Sequence, residues 1–360
     1  MEEYLSLKFD SNQMIRLLGV QLYDTPLAML RENVQNAVDA IRMRMAKDKQ
    51  FTPRVDVTIS INSVSIEDNG IGMSADTLRN NYWYAGNSGK NTPEAKEAGV
   101  IGHFGIGALA NFGVCTELEL STMLYGDHTR CYSKAIRAKL NEQSIVLTKS
   151  EDNSDKYGTK ITATLEIPGS VTVDNAISYL RSYVRYLEIP VFVNGSLVSG
   201  QKMEVDYSRK NTTSAKGETT QRNSSFKYEL SYNNYQPIGL QIKVTDVIIG
   251  GIPMRGQVFL ATNTNESGIM GIYNGFGLAN INLVTNFNFS GVMDFSFLEP
   301  TAGREAISRE STRTAQLLLQ DIEELWASVI ASSPIADSNP ISARERTSSS
   351  VRLALISEKK

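Results

Sequence analysis

The 360-residue chain has little of three features that would place it in a specialised class of protein. Its only cysteines are Cys115 and Cys131, which are too few for a disulfide scaffold or a cysteine-based zinc site. Its only histidines are His103 and His128, so a histidine-rich metal site is excluded. The chain also lacks an apolar run of membrane-spanning length, and we expect no membrane partner.

The charge balance excludes further classes of partner. With 36 basic and 39 acidic side chains the net charge is -3, so no general attraction draws the chain to nucleic acid or to an anionic membrane. The N-terminal sequence MEEYLSLKFD is acidic and lacks the basic and then apolar pattern of a secretion signal. We therefore expect a cytoplasmic globular protein, and its length favours two domains.

The first predicted domain, residues 1–190, begins with a helical stretch, 12–46, in which Thr25 is the expected N-cap and Pro26 the first helical residue. A β-hairpin is predicted in RVDVTISINSVSIEDNG because apolar and polar residues alternate on either side of a turn. Four strands of one antiparallel sheet are predicted between 116 and 167. A helix follows in VDNAISYLRSYVRYL.

The second predicted domain, residues 191–330, opens near a hairpin turn at Asn194-Gly195. The polar residues 208–225 are interpreted as a mobile loop, and strands are predicted from 226 to 298. Apolar residues at helical spacing then predict a helix over 315–329. Residues 331–360 read as a linker-like tail, and we expect the natural chain to continue into a further domain.

A row of polar side chains lies on the first predicted helix, in the segment RENVQNAVDAIRMRM. Because residues four apart share a helix face, Glu32 and Asn36 are neighbours, and Asp39 follows one turn later. Apolar residues on the other side can pack onto a sheet. Alone, this polar row (Glu32, Asn36 and Asp39) is also the pattern of an ordinary amphipathic helix.

Two glycine clusters follow. In SIEDNGIGMS, Asp68 comes directly after a strand, where its carboxylate can accept a hydrogen bond from an exocyclic amine while the glycines let backbone approach a flat ligand. The same residues also make a simple turn. In GVIGHFGIGALANFGV, the backbone amides of a glycine-rich loop before a helix suit phosphate oxygens. This second cluster is neither a Walker loop nor a dinucleotide fingerprint.

In order and spacing, the segments RENVQNAVDA, EDNGIGM, NSGK, IGHFGIG and GTKI resemble the nucleotide-site boxes of the GHKL, or Bergerat-fold, ATPases. Within these, the chain most resembles the ninety-kilodalton heat-shock chaperone family, well over residues 5–190 and more loosely beyond. The resemblance implies an α+β fold. This fold is a two-layer α/β sandwich with a mixed, mostly antiparallel sheet, followed by an α/β middle domain.

The resemblance also implies an ATPase that uses ATP and Mg²⁺. Glu32 is similar to the general base that activates the attacking water, and Asn36 to the side chain that holds Mg²⁺ against the phosphates. Asp68 is similar to the residue that reads the adenine amine, with Thr159 supporting it through a water. The other residues implied at the nucleotide are Asp39, Ala40, Gly72, Met73, Asn81, Ser88, Gly89, Gly102, Phe104, Gly105, Ile106 and Gly107.

The segment FLEPTAGREAISRES resembles the part of the chaperone middle domain that sends an arginine to the terminal phosphate, where transferring a phosphoryl group needs positive charge. Arg304 and Arg309 are both candidates, and we favour Arg304 because Gly303 allows a sharp turn just before it. The chain departs from the family at Asn87, where a phosphate-facing lysine is expected. Lys90, three residues on, is left as a candidate substitute.

Two classes of function share these boxes. The first is a chaperone-like clamp that acts on protein clients, in which ATP closes a lid and the N-terminal domains of a homodimer associate. The second is a nucleic-acid clamp of the mismatch-repair or microrchidia type, which the acidic balance and the lack of a Lys/Arg-rich stretch disfavour. A sensor histidine kinase needs an upstream phosphoacceptor histidine, and no histidine precedes His103.

Overall fold

The computed structural model describes residues 25–84, 99–100, 111–142, 145–233, 239–262, 264, 268–301 and 306–331. The chain divides into two compact units, Met1–Gln201 and Lys202–Lys360. None of the helices in these described ranges is long and apolar enough to cross a membrane. The predicted helical residues 12–24 and the predicted tail from 332 onward lie outside the described residues.

The first unit is built on an eight-stranded mixed sheet. Within the described residues its helices are α1 (Ala28–Lys47), α2 (Ala75–Thr77) and α3 (Val173–Val184). Its strands are β1 (Val55–Ile59), β2 (Ser63–Asp68), β3 (Cys115–Met123), β4 (Thr129–Ile136), β5 (Val146–Glu151), β6 (Gly158–Leu165), β7 (Val191–Val193) and β8 (Ser196–Leu197). The strand order is β5-β4-β3-β6-β2-β1-β7-β8, and only β1 and β7 are parallel. A π-helical turn, Leu78–Tyr82, and a 3-10 turn, Arg137–Glu142, complete the unit.

Helix α1 is the buried helix of this unit and packs on β1, β2, β6 and α3. Its side chains Val34, Val38 and Ile41 are fully buried, and their spacing of three to four residues places them on one face. The helix begins two residues after the predicted start at Pro26. The reason is that Thr25 closes a turn first, because its hydroxyl accepts a hydrogen bond from the Leu27 amide at 3.3 Å.

The predicted β1–β2 hairpin and the four predicted strands β3 to β6 are confirmed, and so is the predicted mixed, mostly antiparallel sheet. The strands do not follow chain order, however, because β6 lies between β2 and β3. Thr159 on β6 is therefore in register with Asp68 on one side and with Thr122 on the other. This register places three polar side chains across neighbouring strands at one end of the sheet.

Residues 191–197 belong to the first unit, whereas the sequence placed the start of the second domain at 191. Strand β7 pairs in parallel with β1, and the Asn194 side chain accepts from the Ile59 amide at 2.7 Å and donates to its carbonyl at 3.1 Å. The predicted Asn194-Gly195 turn is confirmed, with left-handed φ values of 44° and 84°. The predicted hairpin turn did not specify the strand with which β7 pairs.

Where the structure describes it, the second unit is a second sheet with one long helix. Its elements are β9 (Thr212–Thr220), β10 (Ser224–Asn233), β11 (Leu240–Ile249), β12 (Ile252–Pro253), β13 (Gly256–Ala261), β14 (Ile269–Tyr273), β15 (Phe276–Ile281), β16 (Ser290–Phe295) and α4 (Arg309–Ala331). The order is β15-β14-β16-β13-β11-β10-β9, with β12 on β11. Helix α4 packs on β10 and contains the predicted helix 315–329. The assignment of this unit as a middle domain stays a prediction.

The predicted mobile loop at 208–225 is wrong. Half of it forms β9, whose nine residues all pair with β10. The side chains of β9 are polar or small on both faces, so its sequence carries no apolar alternation. Hydrogen bonds to the β10 backbone order this segment, and no local sequence pattern predicts this pairing.

Two buried carboxylates attach α4 to neighbouring loops. Asp321 accepts hydrogen bonds from the Asn223 amide at 3.0 Å, the Asn223 side chain at 2.8 Å and the Ser224 hydroxyl at 2.6 Å. Glu323 accepts from the Asn286 amide at 2.7 Å and from the Thr285 hydroxyl at 2.8 Å. Each carboxylate replaces its lost hydration with several donors, so both are fixed points of the second unit.

We expect Asp321→Ala to lower the free energy of unfolding of the second unit by about 3 kcal/mol, because three donors lose a charged acceptor. Glu324→Ala is the matched control on the same helix, since Glu324 is only half-buried. Urea unfolding in a Trp83→Phe background, followed by the fluorescence of Trp326 on α4, measures the effect. Equal losses in the two variants would contradict the assignment of Asp321 as a fixed point.

Candidate nucleotide-binding site

The polar row of α1 is largely buried. Glu32 is 2% exposed and Asp39 is 0% exposed, while Asn36 is half-buried. The Glu32 Oε1 atom lies 3.2 Å from Nη2 of Arg31, and both side chains are buried. Acids withdrawn from water in this way need compensating charges or donors, so this face of α1 is not a solvated helix surface.

Arg31 connects the polar row to α3. Its guanidinium carbon lies 5.4 Å from the ring centroid of Tyr183. Burial alone lowers the pKa of Arg31, but Glu32 and the tyrosines Tyr179 and Tyr183 raise that pKa above its ordinary value. Burial, followed by the neighbouring Tyr183, likewise raises the pKa of Tyr179. The carboxylate of Glu32 is therefore held beside a permanent positive charge.

Asp68 ends β2 and is 9% exposed. Its Oδ1 atom accepts a hydrogen bond from the Gly70 amide at 2.8 Å. This bond fixes the carboxylate over the start of the loop 69–73, which we call the glycine loop. Thr159 stands directly opposite on β6. The structure thus brings together the two residues that the resemblance assigns to adenine, although their roles stay predictions.

Thr122 is a buried member of this cluster that the sequence did not single out. Its hydroxyl accepts from the Met73 amide at 2.9 Å, donates to the Gly158 carbonyl at 3.0 Å and lies 2.9 Å from the Thr159 hydroxyl. Thr122 therefore joins β6 to the residue that follows the second glycine of the loop. The place of Thr122 in this cluster follows only from the pairing of β3 with β6. In the sequence of β3, Thr122 looks like any threonine at an inward-facing position.

The glycine loop lies directly against the α1 backbone. The Ile71 amide donates to the Ala40 carbonyl at 2.9 Å, and a Cβ on Gly70 would come 2.5 Å from the Ala40 carbonyl carbon. Gly72 has a φ of +67°, and a Cβ there would overlap the Met123 carbonyl oxygen. Backbone packing therefore requires both glycines. It also places the predicted residues Ala40, Gly72 and Met73 at one junction.

Both ends of the second glycine-rich segment are attached to α1. Arg42 donates from Nη1 to the Gly99 carbonyl at 2.9 Å, and the buried Asn33 donates from Nδ2 to Asn111 Oδ1 at 2.6 Å. At about 100° per residue, Asn33 and Arg42 lie on opposite sides of α1, each roughly 90° from the polar row. The predicted phosphate-binding segment thus begins and ends on either side of that row.

Two further predicted site residues lie in described elements, and eight lie outside the described ranges. Asn81 lies half-buried in the π-helical turn Leu78–Tyr82. Arg309 is the exposed first residue of α4. The predicted residues outside the described ranges are Ser88, Gly89, Gly102, Phe104, Gly105, Ile106, Gly107 and Arg304.

Asn36 fits the role of a magnesium ligand. Its amide oxygen is a hard, neutral donor, and it lies within a turn of two buried acids on the same helix. Over the described ranges, no group of three or more His, Cys, Asp or Glu side chains could hold a metal ion by itself. A magnesium ion bound at Asn36 would therefore take most of its oxygens from phosphates and water.

We expect Thr122→Val to lower the free energy of unfolding of the first unit by about 1–3 kcal/mol, because the Met73 amide and the Gly158 carbonyl lose their buried partner. Thr116→Val, an exposed threonine on the same strand, is the control. Urea unfolding followed by the fluorescence of Trp83, in a Trp326→Phe background, measures the difference. A neutral Thr122→Val would show that the cluster does not hold the glycine loop.

Comparisons with known proteins identify relatives of the first unit. Residues 25–164 match the family model described as "Histidine kinase-, DNA gyrase B-, and HSP90-like ATPase". Chaperone protein HtpG from Campylobacter jejuni subsp. jejuni serotype O:6 is 27% identical over 207 residues, which cover 52% of this chain and 33% of that protein. HtpG from Vesicomyosocius okutanii is 25% identical over 229 residues, 58% of this chain and 36% of that protein.

A third HtpG, from Sulfurimonas denitrificans, is 31% identical over 130 residues, 31% of this chain and 21% of that protein. The chain spans about a third of the length of the first two relatives. The matched range contains α1, the glycine loop and most of β6. Residues 25–164 are therefore similar to the ATPase domain of the GHKL proteins, and the resemblance to the ninety-kilodalton heat-shock chaperones is confirmed.

Proposed function

We propose that this chain binds ATP with Mg²⁺ at the junction of α1, β2 and β6 and hydrolyses it. The observation that carries the proposal is the contact between Ile71 and Ala40, which ties the Asp68 loop to the helix that bears the polar row. The loop that follows a carboxylate suited to an amine is thus attached to the helix whose polar row is suited to phosphate chemistry. The family model for the matched range, an ATPase domain, supports the same assignment.

In this proposal, different residues contact the adenine and the phosphates of the nucleotide. Asp68 accepts a hydrogen bond from the adenine amine, and Thr159 supports that contact through a water. At the other end, Glu32 orients a water and takes its proton as the water oxygen attacks the terminal phosphorus. The bond from phosphorus to the bridging oxygen breaks, and ADP and phosphate leave. Bound at Asn36, Mg²⁺ would neutralise phosphate charge.

Arg31 prepares Glu32 for that step. The guanidinium fixes one oxygen of the buried carboxylate, so that the general base is held in position before it accepts a proton. Tyr183, packed on Arg31, holds the guanidinium at this position.

We expect Glu32→Ala to keep nucleotide binding and to lower the hydrolysis rate on the order of 10²-fold or more, because the base is removed and the adenine subsite is untouched. Asn36→Ala should instead weaken binding only when Mg²⁺ is present. Glu67→Ala, an exposed acid beside Asp68, is the control. Phosphate release at saturating ATP measures the rates. A Glu32→Ala protein with the wild-type rate would show that the polar row is structural.

The wider function that we propose is a chaperone-like clamp. Its support is the likeness to proteins named chaperone protein HtpG. In this proposal ATP closes a lid, the N-terminal domains of a homodimer associate, and the clamp acts on protein clients in the cytoplasm. Tight binding of duplex DNA in a gel-shift assay at physiological salt would favour the nucleic-acid clamp instead.

For the second domain we propose that Arg304 supplies positive charge to the terminal phosphate. Arg304→Ala should then lower the hydrolysis rate on the order of 10²-fold with little change in nucleotide affinity, because the contact matters mainly in the transition state. Steady-state rates and calorimetric affinities separate the two effects. Arg309→Ala is the control, and a large loss there but none at Arg304 would move the assignment to Arg309.

A further inference from the structure

Arg44, in the last turn of α1, is enclosed by aromatic rings. Its side chain is 11% exposed, and its guanidinium carbon lies 4.3, 4.7 and 5.5 Å from the ring centroids of Phe51, Tyr125 and Tyr157. Tyr125 and Tyr157 also contact each other edge to face at 5.1 Å. Three rings (the Arg44 cage) thus hold one cation by interactions with their faces.

The caged guanidinium reaches the backbone next to Asp68. Its Nη1 atom donates to the Asn69 carbonyl at 2.8 Å, while Nη2 lies 3.4 Å from Asp48 Oδ2. A planar guanidinium can make both contacts and stack on rings at the same time, which a lysine ammonium cannot do. The Arg44 side chain therefore attaches Asn69, the residue that follows Asp68, to the cage.

The same loop is held from other directions. The Asn69 side chain accepts from the Arg54 amide at 2.9 Å and donates to the Thr52 carbonyl at 2.7 Å. Tyr125, a wall of the cage, donates its amide to the Ile71 carbonyl at 2.8 Å. The Gly70 amide that fixes Asp68 lies between these two attachments, so its direction depends on both.

We propose that Arg44 is a positioning residue for the adenine subsite. It acts through the Asn69 carbonyl to aim the Gly70 amide at Asp68 Oδ1, and so sets the direction in which the carboxylate accepts the adenine amine. The inference rests on the proposed role of Asp68. It predicts that Arg44 contributes to recognition of the amine, whereas the polar row, one to three turns away on α1, serves the phosphates.

The test compares two ligands that differ only in that amine. The β,γ-imido forms of ATP and of purine riboside triphosphate, which lacks the 6-amino group, are titrated into the full chain with Mg²⁺ in a calorimeter. We expect the wild type to prefer the ATP form about tenfold or more. Arg44→Met should remove most of that preference, while affinity for the amine-free ligand changes by no more than about twofold.

Arg54→Met is the matched control. The guanidinium of Arg54 also lies over a ring, 4.0 Å from the Phe192 centroid, but pairs with Asp56 at 2.7 Å. It should keep the wild-type preference. Arg44→Lys keeps the charge but loses the planar guanidinium, so it should show an intermediate preference. If circular dichroism shows that Arg44→Met does not fold, Arg44→Lys is compared with the wild type instead.

Asp68→Asn separates the inference from the proposed function. If Asp68→Asn keeps the preference for the amine, the role of Asp68 is wrong and the inference falls with it. If Asp68→Asn loses the preference, Arg44→Met in that background should cause no further loss, because both act on one contact. An Arg44→Met protein that binds both ligands equally more weakly, or that keeps the wild-type preference, overturns the positioning role alone.

Discussion

The rest of the candidate site depends on the close approach of the Asn69–Met73 backbone to helix α1. The bond from the Ile71 amide to the Ala40 carbonyl is possible only because residue 70 has no side chain. That contact puts the end of β2 beside the helix that carries the polar row. The adenine end and the phosphate end of the proposed site are thereby fixed to one rigid element, and their separation is set by the pitch of a helix.

A helix with this many buried polar side chains needs compensation along its whole length. Arg31 balances Glu32, Asn33 pairs with Asn111, and Arg44 is enclosed by its cage. The same side chains attach α1 to different parts of the unit: Arg31 contacts Tyr183 on α3, Asn33 reaches the end of the glycine-rich segment, and Arg44 reaches the loop after β2. Polar groups that would be costly if left unpaired therefore determine which segments meet at the site.

The sequence predicted what depends on local pattern. The hairpin that ends in Asp68, the α1 row and the Asn194-Gly195 turn each follow from spacing or from turn chemistry. It did not predict Thr122 or the Arg44 cage, because both depend on which strands and loops become neighbours. The sequence also did not predict that β9 is ordered or that β7 pairs with β1. Each depends on hydrogen bonds to the backbone of another strand.

The proposed nucleotide site depends most on the contact between Asp68 and the adenine of a bound nucleotide. Calorimetric titration of the full chain with the β,γ-imido form of ATP and Mg²⁺ tests this contact, with Asp56→Asn as the control for loss of a nearby half-buried carboxylate. We expect one site per chain and a loss of about 1–3 kcal/mol of binding free energy in Asp68→Asn, with no change in Asp56→Asn. Wild-type affinity in Asp68→Asn would contradict it.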